Sequence, residues 1–177
     1  MPAQTPRRGV KSRLYSEGPC PPPEGRGAYI LPLLLNVEAH LPILGGVRLE
    51  PGVYLYVGSA LGPGGLRSRL SRHLEGSGRL WWHVDYLRRL SEPLGYTACL
   101  STARVEEDVA LECSKHATPG PRGFGSSDSS VETHLYKAGV DWWRVAEDCL
   151  ARVCGHSITC LLQASSREPR LARGGAP

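Results

Sequence analysis

Long apolar runs are absent from this 177-residue chain. The best, residues 28–35, holds Pro32 and falls well short of the ~18 residues a membrane span needs. The basic N-terminal segment, with Arg7, Arg8, Lys11 and Arg13, has no apolar stretch behind it, so it does not read as a secretory signal. No internal repeat is present. Charge of one sign is also lacking: 21 Lys and Arg stand against 17 Asp and Glu, a net +4, too small by itself to announce a nucleic-acid binder. Together these absences favour a cytoplasmic protein without a membrane partner, whose six cysteines are expected as free thiols in a reducing compartment rather than as a disulfide framework.

What is present is a core. Hydrophobic residues make up 41%, enough to exclude wholesale disorder. The 21 Gly and 15 Pro read as long turns and loose ends around it. Residues 1–24 form an expected flexible, basic, Pro-rich arm that closes on Pro21-Pro22-Pro23 and favours a solvated tail. Residues 25–137 hold the periodic segments, 138–155 an amphipathic helix, and 156–177 a tail expected to be disordered. Residues 27–35 read as a strand covered on both faces. Gly45-Gly46 turns a hairpin. In the strand at 53–57, Val53, Leu55 and Val57 share one face while Tyr54 and Tyr56 share the other. Leu66, Leu70 and Leu74 stripe a helix over 66–75, and further helices are expected over 82–90 and 105–116, with strands at 95–101 and 133–137. Trp142, Val145, Ala146, Cys149, Leu150 and Val153 line one helical face between Asp141 and Gly155.

Some charged residues fall where apolar ones are expected. At about 100° per residue, His73 lies beside the leucine stripe of its helix and Arg69 next to it, whereas Arg67 and Arg72 point elsewhere. Glu112 shares a face with Val105, Val109 and His116, while Glu106 and Glu107 turn away and suit the helix dipole. A carboxylate on an apolar stripe needs a partner: an arginine such as Arg69, or a divalent metal that leaves its other positions to water and substrate oxygens. The turn at 58–65 lacks the ending of a phosphate-binding P-loop. Gly125-Ser126-Ser127-Asp128 is not a nucleophile elbow, and Cys149, Cys154, His156 and Cys160 match no familiar zinc spacing.

Gly27-Ala28-Tyr29, Tyr56-Val57-Gly58, Arg69 with His73, and Glu112 resemble the motifs of the GIY-YIG nuclease superfamily. The blocks GAYIL, PGVYLYVGSALGPGGLRSRLSRHL, WWHVDYL, LEC, GFGSSD and THLY resemble one branch of it, catalogued as domain of unknown function 123 and found alone or joined to an endonuclease-III-type glycosylase in some archaea. The resemblance covers about residues 25–137. It departs at Ala28 and Val57, each standing where the superfamily motif has Ile. It implies an α+β sandwich, a small central antiparallel sheet flanked by helices, here with an added C-terminal helix.

The resemblance also implies a metal-dependent DNA endonuclease with Mg²⁺ or Mn²⁺, possible work in repair beside a glycosylase, and a monomer. Tyr29 would assist deprotonation of a water, with Tyr56 lining the site. Arg69 offers bidentate donors to phosphate oxygens, His73 would orient the water or carry a proton, and Glu112 would hold the metal. His83, Asp85, Ser127, Asp128 and His134 belong to branch-specific blocks and are candidates either for shaping the substrate or for holding loops. Arg67 and Arg72 are candidates for nucleic-acid contact. Trp81 and Trp82 could stack bases, although tryptophans entering a helix are ordinarily core. The alternatives are a nucleic-acid-binding module of the same fold with little or no turnover, and an interaction domain that uses the 141–154 helix.

Overall fold

The computed structural model describes residues 11–16, as backbone only, and residues 21–162. Its frame is an α+β sandwich. The apolar run becomes strand β2 (Gly27–Leu35), preceded by β1 (Lys11–Ser16). A hairpin of β3 (Ala39–Leu41) and β4 (Val47–Leu49) stands apart from the main sheet. The chain continues through β5 (Gly52–Ala60), α1 (Gly65–Glu75), α2 (His83–Leu90), the two-residue β6 (Glu92–Pro93) and β7 (Gly95–Leu100). Then follow α3 (Glu106–Ser114), β8 (Thr118–Pro119), β9 (Leu135–Ala138), α4 (Trp142–Cys154) and β10 (Ser157–Leu162).

The main sheet runs β1-β10-β7-β2-β5-β9-β8, with β6 pairing farther along β2. Among the described strands only the β1–β10 pair is parallel. Because side chains alternate along a strand, β2 and β5 each serve two cores. Tyr29, Leu31, Leu33, Tyr54 and Tyr56 face α1 and α2, meeting Leu66, Leu70, Val84 and Leu87. Ala28, Ile30, Leu55 and Val57 face α3 and α4, meeting Val109, Ala110, Ala146 and Leu150. Each fully buried Leu, Ile or Val there contributes roughly 1.5–3 kcal/mol. The helical stripe at 142–153 packs on this second face as its spacing predicts, and α4 stops at Gly155. Asp141 precedes it without a side-chain cap.

Three sequence expectations need correction. Within the arm assigned to residues 1–24, Lys11–Ser16 is a strand, and Tyr96 donates a hydrogen bond to the Pro21 carbonyl at 2.8 Å. Within the tail assigned to 156–177, Ser157–Leu162 is an interior strand between β1 and β7. Its β-branched Ile158 and Thr159 suit a sheet, and Thr159 is fastened to Thr97 by a 3.1 Å hydroxyl–hydroxyl bond. The Arg- and Gly-rich composition behind it masked a short strand. Residues 1–10, 17–20 and 163–177 lie outside the described residues. Finally, Cys99 and Cys154 form a disulfide that joins β7 to α4; Cys113 and Cys149 are free and buried, as expected. The chain brings Cys99 and Cys154 together because α4 packs back on the face that carries Cys99. Among the described residues no helix is long and apolar enough to cross a membrane.

Candidate active site

Tyr29 and Tyr56 stand on adjacent strands, Tyr29 opposite Gly58 and Tyr56 opposite Leu31. Their rings are 6.4 Å apart. The Tyr29 ring lies directly across Gly58, and a Cβ at position 58 would collide with its Cζ and hydroxyl. This is a physical reason for glycine at that point: bare backbone makes room for the tyrosine. Both tyrosines line a cleft of about 270 Å³ with Arg69, Trp82, Glu106 and Asp128, and with His134 beside Gly125. A larger hollow of about 590 Å³ lies at Glu38, Arg48, Glu50 and Lys137. Its charges are already matched, Arg48 with Glu38 at 2.5 Å and Lys137 with Glu50 at 2.9 Å. In the smaller cleft, Arg69, Glu106 and Asp128 form no ion pair among the described residues.

Behind Tyr29 sits His73, only 1% exposed. Its Nε2 is 2.9 Å from the Tyr29 hydroxyl. Its Nδ1 has no hydrogen-bond partner, but Asp85 Oδ1 stands 4.0 Å away, too far for a hydrogen bond and close enough for attraction. The carboxylate therefore favours the tautomer with the proton on Nδ1, leaving Nε2 to accept from Tyr29. Burial pulls the His73 pKa down to about 4, against the opposing pull of Asp85. Burial also pushes the Tyr29 hydroxyl well above its ordinary range, Tyr56 adding to the rise and Arg69 opposing it. Tyr56 is raised for the same first reason. At neutral pH the Tyr29–His73 pair is thus a neutral imidazole accepting a hydrogen bond from a neutral phenol.

Asp85 is a hub. It takes both ends of the Arg72 guanidinium, at 3.0 and 2.8 Å, and accepts the backbone N–H groups of Trp81 and Trp82, each at 2.9 Å. Burial works to raise its carboxyl, yet these partners hold it below the ordinary value. Arg72 is therefore spent on the protein, a correction to its expected role in nucleic-acid contact. Arg67 is exposed and paired with Glu24 at 2.6 Å, outside the cleft lining. Trp82 packs against two guanidinium groups, Arg69 at 4.0 Å and Arg72 at 4.6 Å from its ring centre, which fixes Arg69 over the cleft.

Glu112 is the main correction. It lies on α3, the helix that packs on the face of the sheet opposite α1 and Arg69, and it is absent from the cleft lining. Its partners are Lys115 at 2.6 Å, His116 at 3.3 Å and Arg152 at 3.5 Å, so neither Arg69 nor a metal is needed to explain it. The Lys115 hydrogen bond leads in holding its carboxyl below the ordinary range. The α3 residue that reaches the cleft is Glu106, in the first turn. Sequence reasoning took the acidic triplet 106–108 as a match for the helix dipole. No local signal separated Glu106 from its neighbours, since any acid in a first helical turn suits the dipole.

Glu107, next in line, ties down the loop across the cleft. It accepts from Ser129 Oγ at 2.9 Å, Ser130 Oγ at 2.7 Å and the Ser130 N–H at 3.2 Å. Asp128 is thereby held at the cleft wall. His134 also lines it, within hydrogen-bond reach of Ser129 Oγ at 3.1 Å. His83 holds the loop from below, its Nδ1 accepting the Gly125 N–H at 3.0 Å. Gly125 has φ +69°, a left-handed conformation that favours glycine. Ser127 is exposed and does not line the cleft.

Among the described residues no three His, Cys, Asp or Glu side chains gather into a ready metal cage. Two free carboxylates on one small cleft, Glu106 and Asp128, do fit a hard cation that keeps much of its water shell. Residues 28–154 match the model of a family described as "Domain of unknown function DUF123". No curated protein and no solved structure matches the chain.

Proposed function

The chain belongs to the DUF123 family, and from the chemistry of its cleft we propose that it is a metal-dependent endonuclease hydrolysing DNA phosphodiester bonds, with DNA repair as its setting. One observation carries this reading: an arginine and two carboxylates without ion-pair partners among the described residues, and a tyrosine hydrogen-bonded to a neutral histidine, line or back a single cleft. The resemblance of Tyr29, Tyr56, Arg69 and His73 to GIY-YIG nucleases supports it. A cytoplasmic location, a monomer and a partner glycosylase belong to the same proposal.

Arg69, oriented by Trp82, grips two phosphate oxygens and offsets the charge that grows on them. A water held against Tyr29 attacks phosphorus as the phosphorus–oxygen bond to the departing nucleotide breaks, the leaving oxygen taking its proton from solvent. As the O–H bond of the attacking water breaks, the proton goes to the Tyr29 oxygen while the Tyr29 proton passes to His73 Nε2. The high pKa of Tyr29 rules out a standing tyrosinate, so this concerted transfer is what lets it act. The nearby Asp85 carboxylate stabilises the imidazolium that forms. Glu106, with Asp128, would hold Mg²⁺ or Mn²⁺, which when bound supplies Lewis-acid stabilisation of the phosphoryl and leaving oxygens.

The test is incubation with single-stranded, duplex, abasic, flap and branched DNAs in Mg²⁺, Mn²⁺ or chelator. We expect chelator to stop cleavage, and Arg69→Ala and Glu106→Gln each to slow it at least ~100-fold, with Glu112→Gln near the wild-type rate. Cleavage that survives chelator or Glu106→Gln overturns the reading. The burial of Tyr29, 1% exposed, favours one other reading, a binding module with little turnover. Tight DNA binding without cleavage of any substrate would select it.

A further inference from the structure

Trp81 is a large apolar side chain left in solvent at 68% exposure. A single exposed apolar residue is ordinary; what sets this one apart is a large amphipathic ring held on a fixed stretch of backbone beside the cleft. Trp81 is not loose: its N–H is bound by the same Asp85 oxygen that binds the N–H of Trp82, and that carboxylate is itself locked to Arg72. The backbone carrying the ring is therefore fixed beside the cleft that Trp82 lines. The two indoles differ in one respect. Trp82 is engaged by Arg69 and Arg72, whereas no ring or cation of the described residues packs on Trp81.

The surroundings say what would cover it. Arg69 and Arg104 line the adjoining cleft and form no ion pair among the described residues. Arg79, two residues before Trp81, is exposed and likewise unpaired. An exposed flat ring on the chain next to a cleft whose arginines form no ion pair among the described residues matches a ligand that alternates planar bases with phosphates. Bases within a closed duplex present no free face to such a ring; unpaired bases do.

Resting on the endonuclease reading of the cleft, we infer that Trp81 is a stacking platform for an unpaired nucleotide, so that the substrate is DNA with a single-stranded segment next to the phosphate held by Arg69. The test reads binding alone, in chelator. The full chain is titrated with a short labelled oligo-dT, a strand of equal length made of abasic residues, and a blunt duplex. Trp81→Ala should weaken oligo-dT binding about 10- to 100-fold, with much smaller effects on the abasic strand and the duplex. Trp81→Phe should restore most of that affinity. Equal losses on all three probes, or no loss on oligo-dT, overturn the inference. The two proposals fail separately. Trp81-dependent binding of oligo-dT by a protein that cuts nothing removes the nuclease reading alone. Cleavage of blunt duplex at the same rate by wild type and Trp81→Ala removes this one alone.

Discussion

A histidine with 1% exposure and no hydrogen bond on one nitrogen is costly to protonate, and the cost has a measurable sign. The His73 pKa lies near 4 in the folded chain against an ordinary 6.5. Between those values the unfolded chain binds a proton that the folded chain refuses, so stability falls as pH drops through that window. The loss approaches about 3 kcal/mol near pH 4. Urea unfolding at pH 7 and pH 4.5 should show it, and His73→Gln, which keeps a polar partner for Tyr29 and cannot titrate, should show a shallower decline. Equal declines in both proteins would place the acid sensitivity elsewhere. The same refusal keeps Nε2 free to receive the Tyr29 proton under working conditions.

Elements differ in how much of their role their own residues express. Glu107 joins α3 to the loop carrying Asp128 through three bonds, so Glu107→Ala should free that loop without unfolding the domain. Amide exchange at Ser130 and its neighbours should quicken about 10-fold, with the midpoint of thermal unfolding shifted by only a few degrees; unchanged exchange would show that His83 and Gly125 suffice to hold it. The alternation in β2 and β5 and the leucine stripe of α1 were legible in the sequence, because a period of two or of 3.6 reports which residues are buried. Arg69 and His73 stood out by helical period, whereas Tyr29 and Tyr56 were singled out through the family resemblance alone. The placement of α3 was not legible. Periodicity tells that Val109 faces a sheet, but not which face of the sheet, and that choice decides between Glu106 and Glu112. Trp81 was left open between stacking and core for a related reason: tryptophans entering a helix usually pack, and its 68% exposure is set by tertiary structure that periodicity does not report.

At the scale of the whole molecule, the sheet is closed by its last described strand rather than by its first. β10 lies between β1 and β7, and an interior strand cannot spare its N–H groups. Thr159→Pro should therefore cost on the order of 3 kcal/mol and release β1 together with β10. Chemical denaturation with limited proteolysis at residues 11–16 would check both effects, and a β1 that stays protected would contradict the strand order. Tail composition concealed β10, since strand pairing over such a separation leaves no local trace. The order of pairing has a consequence for synthesis. Lys11 leaves the ribosome well before Ser157, with which it pairs, and β1 has no other strand neighbour among the described residues. The cleft residues Tyr29, Tyr56, Arg69 and Glu106 have all emerged before β10, so the cleft can assemble on a nascent chain whose β7 edge is still open. Until the final strand arrives that edge is a template for any passing strand, and the nascent protein is most exposed to mispairing when its cleft residues have already emerged.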